Sequence, residues 1–484
     1  MVPPKCKRHV VVTEAFIFAP KTLGITRQAY PTERFFEDTT RFLRLKTPDE
    51  PLARLTERAR IDELLDDACD ARPIEWRLRL LGCVYRRAIR DRARVLSQRL
   101  SAVTAEGAEA LAVDMTTFVD RLGQARAHLK SVALQPEHGA LGPAVDEFVS
   151  LVAEASCTRL VEGLDLVDAE LASLRAIRAH VATAAVREYH HRREQGYESF
   201  ALEGDTNEGL PHRRRTLKRA ISSALYLDIG HERGGELAQN FIGMISAAAA
   251  MFFAIVVAVW AQLRWEMTAW PFILVMVLSY VVKDRIKEIG KRALGKRARG
   301  MAPDVVQKVR VPSTGSVVGL CREWFDVLSP ESLDTEVSRL RHIDHPGGME
   351  ELGRPETVMV YRKEVALKVA ELNHDLTHID GLTDIIRFNL ARVRRRMDAP
   401  TEIYTLVHPQ THQLVEVPCG RVYHLNIVLR TTTRSDGASR VEMERVRVVL
   451  DQVGIRRVER VHPAAALTDV EAAGLHETDS PDLL

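Results

Sequence analysis

The run FIGMISAAAAMFFAIVVAVWA, Phe241–Ala261, decides how the rest of the chain is read. No charged side chain occurs between Leu237 and Leu263, so as a helix this stretch is long enough for a hydrocarbon core of about 30 Å. A polar step, Arg264-Trp265-Glu266, separates it from a second uncharged run, MTAWPFILVMVLSYVV, Met267–Val282, which stops at Lys283. The pattern predicts a two-helix transmembrane hairpin over residues 237–283, with spans near 241–262 and 267–283.

The second run is the weaker of the two, because at 1.5 Å per residue it reaches only about 24 Å. Its flanks offset the shortfall. Trp260, Trp265 and Trp270 cluster at the turn, where indole rings favour the membrane–water interface. At the other end Lys283, Arg285, Lys287, Lys291 and Arg292 supply charges that reach headgroups along their own methylenes. Pro271 sits near a helix start, where its missing N–H costs no hydrogen bond. The plainer alternative is a buried helical hairpin in a soluble core. The first run is too long and too uniformly apolar for one ordinary amphipathic core helix.

Basic residues crowd both outer flanks of the hairpin, from Arg213 to Arg233 before it and from Lys283 to Arg299 after it, while the connecting step carries only Arg264. The excess of positive charge on the cytoplasmic side of inner-membrane proteins then places both termini in the cytoplasm. The expected location is the inner membrane, multi-pass, with nearly all the mass inside. Two spans with no intramembrane charge give a transporter no substrate path.

With 68 basic against 66 acidic residues the net charge is +2, so no global field attracts nucleic acid, and any positive surface is local. Six widely spaced cysteines form no C-x-x-C pair and read as reduced, buried thiols rather than a disulfide framework or zinc site. The Arg- and Ala-heavy composition fits a GC-rich bacterial coding sequence. The N-terminus, MVPPKCKRHVVVTEAF, is too weakly apolar for a signal peptide, leaving the hairpin as the targeting element.

Outward from the hairpin, the expected fold is a membrane-anchored multidomain chain. Residues 1–195 read as a mainly α, helical bundle or coiled-coil domain with one N-terminal strand, His9–Phe18. Its helices cover Pro48–Cys69, Arg72–Thr117 and about Ala144–Gln195, broken at Ala133–Pro143. Leu160, Leu164, Val167, Leu171 and Leu174 alternate at four and three, a coiled-coil seam suited to self-association or a protein partner. Residues 196–236 read as a linker carrying a basic patch, Arg213, Arg214, Arg215, Lys218 and Arg219. No aromatic residues interleave with these charges, so no specific nucleic acid is predicted. Beside a hydrophobic run, anionic lipid headgroups are the expected partner. Residues 284–300 continue as a basic juxtamembrane helix.

Residues 301–465 turn β-branched and read as an α+β domain. Strands are expected at Val305–Pro312, Thr357–Leu367, Thr401–Pro409, His412–Pro418 and Arg421–Thr433, the third and fourth as a hairpin, and Arg440–Val449 reads as strand or helix. One amphipathic helix is expected over Gly381–Met397, with Leu382, Ile385, Ile386, Leu390 and Val393 on one face. Residues 466–484 form an acidic, frayed tail.

Histidine pairs at i, i+4 are His374/His378 and His408/His412, with His342/His345 close to that spacing. The first is the best candidate metal site, because Asp375 and Asp380 add oxygen ligands. It lacks the H-E-x-x-H order, and polar residues ahead of a helix explain it equally. Arg392–Arg396 suits solvent or a phosphate-bearing or acidic partner. There is no Walker loop, no dinucleotide fingerprint and no nucleophile elbow, so no catalytic residue and no cofactor is assigned. The leading reading is a membrane-anchored scaffold or signalling protein facing the cytoplasm. The alternatives are a membrane-tethered metal-dependent hydrolase in the C-terminal domain and an oligomeric pore-forming effector. Gly243, Ser246 and Ala247–Ala250 permit the close helix packing a pore would need.

Overall fold

A strand whose own neighbourhood is helical must find its hydrogen bonds far away in sequence, because an unpaired ladder leaves a row of open N–H and C=O groups. The computed structural model describes residues 8–65, 73–167, 172–230, 235–266, 269–298, 303–343, 356–368, 381–435 and 438–461. In it β1 (Arg8–Pro20) lies between β6 (Glu356–Lys368) and β10 (Tyr423–Ser435), antiparallel to both. Phe16 stands opposite Val360 on one side and Val428 on the other.

Two more early strands join the same sheet: β2 (Thr39–Leu45) and β3 (Tyr226–Ile229). With β4 (Val305–Arg310), β5 (Val317–Leu328), β7 (Leu382–Phe388), β11 (Ala438–Leu450) and β12 (Ile455–Val461) they complete a ten-stranded antiparallel sheet in the order β12-β11-β10-β1-β6-β5-β4-β3-β2-β7. The expected separate C-terminal α+β unit is therefore corrected, since its sheet is built with β1, β2 and β3. A two-stranded hairpin, β8 (Thr401–Val407) with β9 (Leu414–Gly420), stands apart and exposed.

The sheet curls. Although β2 is the one strand paired with β7 among the described residues, Asp384 on β7 reaches Lys363 on β6, and Arg41 on β2 reaches Glu323 on β5. The inward rows of these strands form layers. At one end Leu43, Leu45, Val309, Cys321, Val365 and Leu367 belong to an apolar cluster. At the other Phe35, Phe325, Met359 and Tyr361 form a second one, with Phe35 and Phe325 stacked at 4.0 Å. Between the two lies a charged layer of Arg41, Glu323, Lys363 and Asp384, with the Tyr361 hydroxyl donating to Glu323 at 2.9 Å.

This layer explains one correction. The expected helix over Gly381–Met397 is instead β7 followed by the four-residue α11 (Ala391–Arg394). Leu382, Asp384, Ile386 and Phe388 form the inward row of β7. The charged residue in that row hides the period-two pattern, because a carboxylate facing inward needs Lys363, far away in sequence.

The helices α2 (Arg58–Leu65), α3 (Ile74–Ser101), α4 (Ala108–Ala133), α5 (Leu141–Asp165), α6 (Ala172–Glu194) and α7 (Gly209–Ser222) pack as a bundle that shares its core with the first sheet layer. The chain does turn back between Ala133 and Leu141, where a loop was expected. The Leu160–Leu174 seam is not one coiled coil, because α5 ends at Asp165. Leu160, Leu164 and Leu174 are buried in the chain's own core, and Leu171 lies outside the described residues. Polar pairs cross the bundle interior: Arg126 on α4 is bidentate to Glu188 on α6, at 3.0–3.2 Å, and reaches Asp146 on α5 at 2.8 Å.

Between β3 and β4 the chain makes one long excursion, α8 (Gly235–Arg264) and α9 (Trp270–Ala298), which pack side by side. The predicted two-helix transmembrane hairpin is not supported. Among the described residues a single segment, the 22-residue Gly243–Arg264, is long and apolar enough to cross a membrane, with a mean hydropathy of 2.3 over its best 18-residue window. The second arm fails on length. Its uncharged part in α9, Trp270–Val282, reaches about 20 Å, and Lys283, Asp284, Arg285, Lys287 and Glu288 continue the same helix. Two short helices add to the apolar clusters: α1 (Thr32–Asp38) brings Phe35 to the second, and α10 (Thr335–His342) brings Val337 to a third, made with Phe16, Phe18, Val358 and Val428.

Candidate functional site

The α8–α9 pair meets along a narrow seam. On α9 the inward positions Phe272, Met276, Ser279, Lys283, Ile286 and Gly290 recur at alternating four and three, the spacing of a two-helix seam. On α8 the buried positions are small: Ser246, Ala250 and Ala261. Gly290 allows the closest approach, since a Cβ there would lie 3.4 Å from Ser246 Cβ. Small residues let the backbones come together, so the larger side chains point outward. Phe252 is 71% exposed, Leu263 84% and Trp270 74%, with Met251, Ile255, Val259, Leu274, Val277 and Leu278 also exposed.

Of the expected interface residues, Trp260 and Trp265 meet edge to face at 5.4 Å at the tip, beside Arg264 and Glu266, and Trp270 begins the return helix. Lys283 Nζ sits 4.0 Å above the Tyr280 ring, and Arg285 pairs with Glu288 at 3.8 Å. Lys287 is exposed. Lys291 and Arg292 continue α9, and their side chains lie outside the described part.

The basic patch divides. α7 is docked on the bundle by Leu217 and Ile221, not extended as a linker. Arg213 is taken up by the buried carboxylate of Glu147, at 2.6–3.0 Å. Arg214 approaches Glu154 at 3.9 Å, while Arg215 and Arg219 are exposed. Lys218 turns toward α3 and is held below the usual lysine range, first by burial and then by Arg86, Arg90, Arg387 and Arg44 around it. Sequence reading missed Arg86 and Arg90, although their i, i+4 spacing puts them on one face of α3.

The metal candidates His374, Asp375, His378 and Asp380 all lie outside the described residues. His345 does too, while His342 contacts its own helix carbonyl at Ser338. His408 caps its own turn, its Nδ1 accepting from the backbone N–H groups of Gln410 and Thr411. Among the described residues no group of three or more His, Cys, Asp or Glu side chains could hold a metal ion.

The remaining polar groups act as struts. Arg392 bonds to Asp38 and Glu37, Arg394 to the Val453 carbonyl, and Arg396 to the carbonyls of Leu23 and Gly24. His191 Nε2 lies 2.6 Å from Asp146 Oδ2, which also accepts from the Tyr197 hydroxyl at 3.0 Å. Arg192 ties Ser150, Glu154 and the Ser199 carbonyl together. No family model, curated protein or solved structure matches this chain.

Proposed function

We propose that the chain is a membrane-surface protein, a scaffold or signalling partner whose folded body rides on one face of a bilayer through the α8–α9 pair. The observation that carries this reading is the pair's exterior. The seam is lined on α8 by small residues and uses up little of that helix's apolar surface, and the large apolar side chains left exposed on both helices, among them Phe252, Leu263, Leu274 and Leu278, are of the kind that marks a membrane or protein contact. The sheet supports entry and exit on one face, because Ile229, just before the excursion, is paired with Val309, just after it. The short apolar part of α9 favours insertion from that face without two full crossings. Lys283 and the charges after it would then lie among headgroups.

Flotation tests the proposal. Full-length protein mixed with phosphatidylcholine vesicles doped with phosphatidylglycerol is expected to rise with them in a density gradient and to resist carbonate extraction. Phe252→Glu, Val256→Glu and Leu274→Glu together, at outward positions, are expected to abolish flotation while leaving the far-UV circular dichroism of the body unchanged. Wild-type protein that stays below the vesicles and is monodisperse without detergent overturns the reading.

A further inference from the structure

The hairpin β8–β9 stands outside the ten-stranded sheet, and among the described residues no third strand joins it. Two strands alone are marginal in water, where a third strand or a packed layer ordinarily holds them. Here β8 is exposed along its whole length. Ile403, Val407 and Leu414 are open on one face of the hairpin, and Tyr404, Leu406 and Val415 on the other.

The ladder fixes which backbone groups look outward. Arg421 donates to the Pro400 carbonyl and His408 to the Gln413 carbonyl, both at 2.9 Å. By the alternation of an antiparallel pair, Glu402, Tyr404 and Leu406 then turn their N–H and C=O groups toward β9, and those of Thr401, Ile403, Thr405 and Val407 point away from it. On β9 the outward residues are Leu414, Glu416, Pro418 and Gly420. Pro418 thus removes a donor from the free side of β9, the place where proline blunts an edge. β8 has no such guard. Its outward residues are threonine, isoleucine, threonine and valine, all of which favour strands.

We propose that β8 pairs with β8 of a second copy of this chain, antiparallel across a two-fold axis, giving one continuous sheet in the order β9-β8-β8-β9. A single register serves every outward group. Centred on Tyr404, it sets Thr401 against the partner's Val407 and Ile403 against the partner's Thr405, each pair exchanging both backbone hydrogen bonds. Tyr404 meets its own copy, an aromatic cross-strand pair. Charge favours the same register. Glu402 lies opposite the partner's Leu406 and diagonal to the partner's His408. His408 Nδ1 accepts from the backbone N–H groups of Gln410 and Thr411, so its Nε2–H is the group that meets the carboxylate. Centring the pair on Glu402 instead would set two carboxylates face to face, which is unfavourable. The contact is isologous and closes at two copies. One strand edge is smaller than a standard interface, so the dimer belongs to the weak class. The pairing does not rest on the membrane reading, because the hairpin lies outside the α8–α9 excursion.

Full-length protein in mild detergent, which covers the exterior of α8 and α9, is the sample. Hydrogen exchange is read at the amides of Ile403, Thr405 and Val407 at about 1 μM and about 100 μM, a range that brackets weak association. Exchange is expected to slow about threefold or more at the higher concentration. Strong protection at both concentrations would mean that another segment of the chain already covers the edge, and no protection at either that no copy docks there. Each of these results overturns the proposal. Cross-linking reads the register in a Cys419→Ser background. Tyr404→Cys is expected to give an intermolecular disulfide, because Cα atoms of a non-hydrogen-bonded pair lie about 4.5 Å apart. Glu402→Cys is expected to give little, since its own copy would stand about 14 Å along the strand. Equal yields would show random collision or another register, and sink the pairing. Ile403→Lys with Thr405→Lys sets lysines opposite one another in the dimer and is expected to abolish the concentration dependence. Glu416→Lys, on the edge that Pro418 guards, is expected to leave it within about twofold. An equal loss in both variants also overturns the proposal.

Discussion

Lys363 and Asp384 touch, Nζ 2.5 Å from Oδ1, although their strands β6 and β7 stand at opposite ends of the arc β6-β5-β4-β3-β2-β7. Arg41 and Glu323 make the parallel contact from β2 to β5. Both acids and both bases therefore balance within one layer, closed above and below by apolar side chains. The curl of the sheet and the neutrality of this layer are the same fact. Opening the arc would leave Lys363 and Glu323, each 0% exposed, without their charges met.

Removing one member should therefore cost more than removing a pair. Lys363→Met is expected to lower stability by about 3–5 kcal/mol, because it leaves buried carboxylates uncompensated, whereas Lys363→Met with Asp384→Leu is expected to recover most of it. The defect also has a pH sign. Burial first, against the pull of Lys363, holds the Asp384 carboxyl above the usual carboxylate range. The native state then binds the proton more readily than the unfolded chain, so this group's contribution falls as pH rises through that window. Without Lys363 the preference for the neutral acid grows. The stability gap between wild type and Lys363→Met should narrow as pH is lowered from 7 toward 5 in guanidinium melts, and a constant gap would contradict the assignment.

Asp146 behaves in the opposite way. Burial acts to raise it, but His191 and the guanidinium of Arg126 outweigh burial and hold the carboxyl at about 2. A depressed acid stabilises above its unfolded value and loses that stability as pH falls through its folded value. Against an ordinary value of 3.8 the difference corresponds to about 2 kcal/mol at neutral pH. Asp146→Asn is expected to lose about that much at pH 7, with the difference from wild type closing between about pH 4 and pH 2. Parallel urea transitions at the two ends of that window measure it.

The turn from α4 into α5 has no room for a side chain. A Cβ on Gly142 would lie 1.8 Å from the Ala133 carbonyl oxygen, a backbone atom that cannot swing away. On Gly163 the nearest atom, at 2.8 Å, is the tip of the flexible Leu100 side chain. Gly142→Ala is expected to cost about 3 kcal/mol, the upper end of overpacking, and Gly163→Ala about 1 kcal/mol or less. Thermal denaturation of the two variants side by side reads the difference, and equal melting temperatures would contradict this packing.

What was legible in the sequence follows how local each signal is. The β8–β9 hairpin is set by the turn His408–His412 between two alternating runs, and the reversal near Ala133–Pro143 by its own Gly and Pro. β1 could be read as a strand from its valines and phenylalanines, but not its partners, which lie more than 300 residues away. Leu160–Leu174 keeps a heptad spacing across the end of α5, so periodicity alone could not reveal the break. β7 was hidden by Asp384, and the gathering of basic residues from α3 and α7 by the separation of Arg90 from Lys218 in the sequence. In the long excursion the first arm was legible by length, while the second was overread because its apolar run is short and Lys283, Asp284 and Arg285 continue the same helix.

The geometry of that excursion is open to a covalent test that needs no membrane. A Cβ on Gly290 would stand 3.4 Å from Ser246 Cβ, close to the separation of about 3.5–4.5 Å that a disulfide requires. Ser246→Cys with Gly290→Cys is therefore expected to form an intramolecular bridge under mild oxidation, found as a linked peptide by mass spectrometry. Moving one cysteine to an outward position, as in Phe252→Cys with Gly290→Cys, is expected to give none. The native thiols Cys83, Cys157 and Cys321 are buried and Cys419 lies on the exposed hairpin β9, so none of these described thiols adjoins the new pair. Burial also pushes the Cys83 thiol up to about 11 and that of Cys321 up to about 12, which keeps both slow to react. A bridge in the first variant and not in the second fixes which faces of α8 and α9 look at each other. The faces left over are those that the proposed function assigns to lipid, and the glutamates of the flotation test are placed on them for that reason.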